Sequence, residues 1–108
     1  MERQDALAAL DALAHETRLD VFRLLVRSGR EGLAAGALAD ALEVPSATLS
    51  FHLKELKSAG VLSCRRNGRS LIYSPNFEAI SALLEYLTLN CCEGVAACGQ
   101  PAEEGPRP

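Results

Sequence analysis

The stretch PSATLSFHLKELKSAGVL, residues 45–62, decides how this chain folds. Leu49, Leu53 and Leu56 recur at helical spacing, so a helix over 47–59 turns them toward a core. Pro45 prevents the preceding segment from simply continuing as helix. Ser46 stands where an N-cap hydroxyl accepts from the backbone N–H near Leu49. Gly60 suits the far end, where a left-handed residue closes a helix. The opposite side carries Ser46, Ala47, Thr48, Ser50, Phe51, Lys54 and Lys57. Such a face is free of bulky aliphatic groups and rich in hydrogen-bonding ones.

Upstream, Leu38, Ala39 and Leu42 mark a brief helix that EVPS turns into the one just described. Earlier still, Leu7, Leu10, Leu13 and Ala14 place a first helix over 2–14. A second runs over 16–27, with Leu19, Phe22, Leu25 and Val26 on its apolar side, and Ser28-Gly29 ends it. Downstream the period changes to two, and VLSCRR and RSLIYS flank Asn67-Gly68, a strong hairpin signal. Pro75-Asn76 then opens a last helix with Phe77, Ile80, Leu83, Leu84 and Leu87 along one side. The fold class is mainly α with a β-hairpin wing, a winged helix-turn-helix over residues 1–90. A cysteine segment follows over 91–98. Residues 99–108 lack periodicity and are expected to be disordered.

With 108 residues, 48% apolar content and no Trp, the chain can build one thin, aliphatic core, and a second copy is expected to supply part of the burial. The net charge of −3 is unevenly spread. Residues 1–45 carry five basic and eight acidic groups, 46–74 five and one, and 75–108 one and five. The acidic ends argue against loose polyanion binding by the whole surface, and the basic middle argues for one dedicated anion-facing patch. No run of 18 apolar residues exists to span a membrane, and the N-terminus lacks the layout of a secretory signal. A cytoplasmic, reducing setting is expected, where four cysteines point to metal or redox chemistry rather than to a structural staple.

A helix entering the major groove needs an outward side that can hydrogen-bond to base edges or phosphates, as the Ser, Thr and Lys groups here can, and Phe51 can meet a thymine methyl. At the hairpin tip Arg65, Arg66, Asn67 and Arg69 suit the backbone or the minor groove. Alone, that tip would read as a solvated turn; following a helix-turn-helix it reads as a contact with double-stranded DNA. His52 lies between the two faces and reads as a hydrogen-bonded structural group, and His15 as a helix-start residue.

LAHETRLDVFRLL and PSATLSFHLKELKSAGVL, followed by the basic hairpin, resemble the ArsR/SmtB family of metal-responsive bacterial repressors over about residues 5–90. The resemblance implies a homodimer joined through the first and last helices, with the third and fourth reading operator DNA. The TLSFHLKELKSAGVL segment is particularly similar to arsenic-responsive members. The chain departs from the family pattern in three places. It has no Cys-x-Cys pair at the start of the reader, no histidine on the last helix, and Glu43 where a glycine often occupies the helix–helix turn. An inducer site must therefore be sought elsewhere.

The stretch NCCEGVAAC holds Cys91, Cys92 and Cys98. Adjacent side chains on a regular helix diverge by roughly 100°, so these sulfurs converge only if the helix loosens there. Three thiolates without a nearby histidine form a soft, low-coordinate site that suits As(III), whose lone pair takes the fourth position, better than tetrahedral zinc. Some arsenic-responsive family members look similar at this point, which implies Cys91, Cys92 and Cys98 as As(III) ligands. Sb(III) and trivalent organoarsenicals, which need only two thiols, are further candidates. A redox-sensing repressor and a Zn- or Cd-responsive one remain open as alternatives. Cys64 reads as a small buried thiol in a strand. No activated thiolate, Ser-His-Asp set or paired carboxylates is visible, so the chain is not expected to be an enzyme.

Overall fold

The computed structural model describes residues 1–92; residues 93–108, with Cys98 and the expected tail, lie outside the described residues. In chain order the elements are α1 (Arg3–Leu13), α2 (Glu16–Ser28), a 3-10 turn (Gly29–Glu31), β1 (Leu33–Ala34), α3 (Ala35–Leu42), α4 (Ser46–Ser58), β2 (Leu62–Asn67), β3 (Ser70–Pro75) and α5 (Phe77–Leu87). This is the winged helix-turn-helix expected from the periodicity.

The core forms where α2, α3 and α4 meet. Val21, Leu25, Leu38, Leu49, Leu53, Leu56 and Val61 are essentially inaccessible to solvent. Truncating any one of the α4 leucines to Ala costs about 2–5 kcal/mol, because the neighbours collapse only partly into the void. The fourth helix thus buries the three leucines that its spacing singles out. Its start differs from expectation. Pro45 is the N-cap residue, Ser46 is the first helical residue, and no side chain caps the end. Its C-terminus closes as read, with the N–H of Gly60 donating to Lys57 and that of Val61 to Leu56, around φ 86° at Gly60.

The turn between α3 and α4 closes the same way without a glycine. The N–H of Glu43 donates to Asp40 and that of Val44 to Ala39, with Glu43 left-handed at φ 55°, ψ 46°. The departure at Glu43 therefore leaves the turn geometry intact at a strain of about 1–2 kcal/mol. On α1 the face is reversed from the sequence reading: Ala6, Ala9 and Ala12 are buried, while Leu7 and Leu10 are exposed. Small side chains let α1 approach the other helices closely, and the leucines are left outward. On α2 and α5 the expected faces hold in part: Leu25 and Leu83 are buried and Phe22 and Ile80 pack against the core, while Leu19, Val26, Leu84 and Leu87 are exposed.

The wing carries a third strand that the sequence did not announce. The sheet order is β1-β3-β2, all antiparallel, with Leu33 opposite Tyr73. Two residues give too little pattern to detect. Gly32, at φ 75°, lets the chain enter this pairing, because a Cβ there would run into the backbone carbonyl of Tyr73. The hairpin turn is displaced by one residue from Asn67-Gly68. Asn67 pairs with Ser70, and Gly68 at φ 65° with Arg69 makes the two-residue connection.

Gly32→Ala is expected to lower stability by about 2–4 kcal/mol, since strain and clash act together. Glu43→Gly is expected to raise it by about 0.5–1 kcal/mol. Urea denaturation of the two variants measures both.

Candidate nucleic-acid interface

Helix α4 is held by its leucines, so its other face is presented to solvent. Ser46, Ala47, Thr48, Ser50, Phe51, Lys54 and Lys57 are all exposed, Phe51 at 55%. The first turn of α4 carries Ser46 and Thr48 beside N–H groups without helical acceptors, a setting that attracts phosphate. At the wing, Arg65, Arg66, Asn67 and Arg69 are exposed. The four are not equivalent. Arg65 donates through Nη2 to the carbonyl of Glu31 at 2.7 Å, tying β2 to the turn before β1. Arg66, Asn67 and Arg69 stand at the tip beyond that tie.

Among the described residues, His52 is the one buried polar side chain, at 8% exposure. Its Nδ1 accepts from Nε of Arg18 on α2 at 3.1 Å. That acceptance places the imidazole proton on Nε2 of a neutral ring. His15 caps α2, its own Nδ1 accepting from the Thr17 N–H at 3.2 Å, and its ring lies 4.7 Å from that of His52. Burial, then the neighbouring His15 and Arg18, hold the His52 pKa below the ordinary 6.5. The structural roles read for both histidines therefore hold. The signal the sequence could not carry is the partner: Arg18 lies 34 residues away.

Cys64 is half-buried and faces Tyr73 on the paired strand, as a small packed thiol should. Burial, with the adjacent Cys64 thiol, raises the Tyr73 hydroxyl pKa above its usual range. At the end of α5, Thr88 is the C-cap, and Asn90 and Cys92 both adopt positive φ, 62° and 65°. The chain has left the helix there, and the Sγ atoms of Cys91 and Cys92 lie 3.3 Å apart. Cys98 is outside the described residues. Among those described, no group of three or more His, Cys, Asp or Glu side chains is placed to hold a metal. The other end of α5 is tied to α4. The Asn76 N–H donates to Val61, its Nδ2 donates to Gly60, and its Oδ1 caps Ala79.

A helix-turn-helix domain family matches residues 13–65. The HTH-type transcriptional regulator YgaV of Escherichia coli is 30% identical over 84 residues, 78% of this chain and 83% of that protein. A cadmium resistance transcriptional regulatory protein CadC homolog of Staphylococcus aureus is 32% identical, covering 88% of this chain and 76% of its own. The homodimeric winged helix-turn-helix DNA-binding domain of Mb0332 from Mycobacterium bovis superposes with a TM-score of 0.65 at 28% identity, over 85% of this chain and 82% of that one. The exposed polar face of α4 beside a basic wing is the arrangement of a DNA-binding transcriptional regulator, not of an enzyme. The chain belongs to the ArsR/SmtB family of such regulators.

Two measurements check the interface. Lys54→Ala and Arg66→Ala are each expected to weaken binding across all duplex sequences and to reduce the slope of log affinity against log salt by about 1, whereas Arg65→Ala moves that slope less. The second concerns pH. The unfolded chain takes up a proton near the ordinary His value of 6.5, whereas folded His52 resists it. Its contribution to stability is thus present above that value and is lost as pH falls through the lower folded one. The acid-side fall in thermal midpoint is expected to be shallower in His52→Gln than in the parent, read by calorimetry.

Proposed function

We propose that this regulator is a homodimeric, arsenic-responsive repressor of the cytoplasm. It holds operator DNA when ligand-free and leaves it when Cys91, Cys92 and Cys98 bind As(III). The observation that carries this reading is the Cys91–Cys92 sulfur separation of 3.3 Å where α5 has unwound. Two sulfurs this close can share one ion at sulfur bonds of about 2.3 Å, and thiolate-only donors favour a soft one. The two thiols thus fit such an ion, and Cys98, separated from Cys92 by a five-residue spacer, is close enough in sequence to supply the third. Sb(III) and trivalent organoarsenicals fit the same donors.

Dimerisation is supported by Leu7 and Leu10 on α1 and Leu84, Leu87 and Leu89 at α5, all exposed on helices that pack against each other. The homodimeric Mycobacterium bovis relative supports the same assembly. Drawing Cys98 back onto Cys91 and Cys92 reorganises the end of α5. Asn76 fastens the start of that helix to the end of α4, which gives the change a route to the reader. The ion releases DNA only by the amount it prefers the non-binding arrangement.

A second reading, release by thiol oxidation, rests on the same vicinal pair; release by Cd(II) or Zn(II) takes its support from the cadmium-resistance relative. Arsenite titrated into protein bound to fluorescent duplex separates the three. The expected result is loss of binding that a thiol-free phosphine reductant does not reverse, with at least about tenfold weaker response in Cys91→Ser, Cys92→Ser and Cys98→Ser and an unchanged one in Cys64→Ser. Release by peroxide or cadmium but not by arsenite, or an equal response in Cys91→Ser, contradicts the arsenic reading.

A further inference from the structure

We propose that Arg18 is a positioning residue for the DNA-reading helix, bracing α4 from α2 through a hydrogen bond that exists only while His52 is neutral, so that acid weakens duplex recognition. The inference rests on α4 being the reader, and not on the identity of the inducer.

One guanidinium touches two adjacent side chains of α4. Arg18 Nε donates inward to Nδ1 of buried His52 at 3.1 Å, while its central carbon lies 5.6 Å from the centroid of the Phe51 ring. Phe51 belongs to the exposed, groove-facing set, and its ring lies 5.7 Å from that of His52. Arg18 therefore links the buried imidazole of α4 to the pose of an exposed side chain on the same helix. A guanidinium only donates, and it stays charged. Once Nδ1 of His52 carries a proton, two donors face each other and the bond is lost. The new charge would lie between Arg18 and the His15 ring, 4.7 Å away, whose own Nδ1 caps α2.

Carboxylates stand beside Arg18, while the charges that shift His52 are cationic. From α1, Asp11 and, from α4 itself, Glu55 line a cleft of about 220 Å³ beside Arg18. On α3, Asp40 is exposed, and the ionisable groups of β2, Cys64, Arg65 and Arg66, run toward the wing. The charges that act on His52 are the cationic ones, His15 and Arg18, and burial opposes its protonation further. An added positive charge by itself would strengthen binding to any duplex. Loss of the brace acts instead on the geometry of the reader, so the two effects separate in the ratio of selected to scrambled duplex affinity.

The test uses the full chain, a duplex that it enriches from a random pool and a scrambled duplex of equal composition, at about pH 7.5 and about pH 5.5. The selected-to-scrambled ratio is expected to fall on acidification in the parent protein, by less than about tenfold at the lower pH because His52 titrates below 6.5. It is expected to stay level in His52→Gln, which keeps an acceptor for Arg18 but takes no proton, and to be low at both pH values in Arg18→Gln. A level ratio in the parent, or an acid-dependent ratio in His52→Gln, overturns the proposal. In the parent alone, the Arg18 Nε–H resonance is expected to lose its shift as His52 titrates, and its persistence through that titration overturns the proposal whatever the variants do. Failure to enrich any duplex at the higher pH overturns the reader assignment itself.

Discussion

Burial of one face of α4 is the constraint from which the rest of the structure follows. Leu49, Leu53 and Leu56 are driven out of water against Val21 and Leu25 of α2 and Leu38 of α3. Each contributes about 2 kcal/mol or more in transfer alone, which is large beside the net stability of a domain this size. A helix docked that firmly along one side must expose the other. The serines, threonine, lysines and Phe51 on that side are then held in a fixed array without contributing to the core. The proposed DNA contacts depend on this division, since a reader that rocked would give up the register that base contacts need.

Most of that division was legible because it is periodic. The leucine spacing of α4 located the helix, the switch to a period of two located the wing, and Gly60 located the stop. What the sequence hid was set by geometry between distant residues or by segments too short to show a pattern. The two residues of β1 cannot display alternation. The helix start at Ser46 rather than Ala47 and the turn at Gly68-Arg69 are single-residue shifts that composition does not resolve. On α1 the leucines were the conspicuous residues, yet the alanines are buried, because close helix packing selects small side chains and leaves the larger ones for another surface. The contact between Arg18 and His52 spans 34 positions and has no local signature. The sequence said only that Cys91 and Cys92 converge if α5 loosens; the break falls at Asn90 and Cys92, both at positive φ, residue types that carry no strong stop signal.

The regulator is asymmetric in how its parts are anchored. The reader is fixed from three sides: by the core below, by Arg18 along its flank, and by Asn76 at its C-terminal end. Cys91 and Cys92 lie past the other end of α5, where Asn90 and Cys92 adopt positive φ.

The most direct test of this account is a map of backbone amide shifts when duplex DNA is added. The account predicts that the largest changes cluster on the outer face of α4, at Ser46, Thr48, Ser50, Phe51 and Lys54, and at the wing tip from Arg66 to Arg69, while Leu7 and Leu84 stay unmoved. Changes concentrated on α1 and α5, with α4 undisturbed, would contradict it.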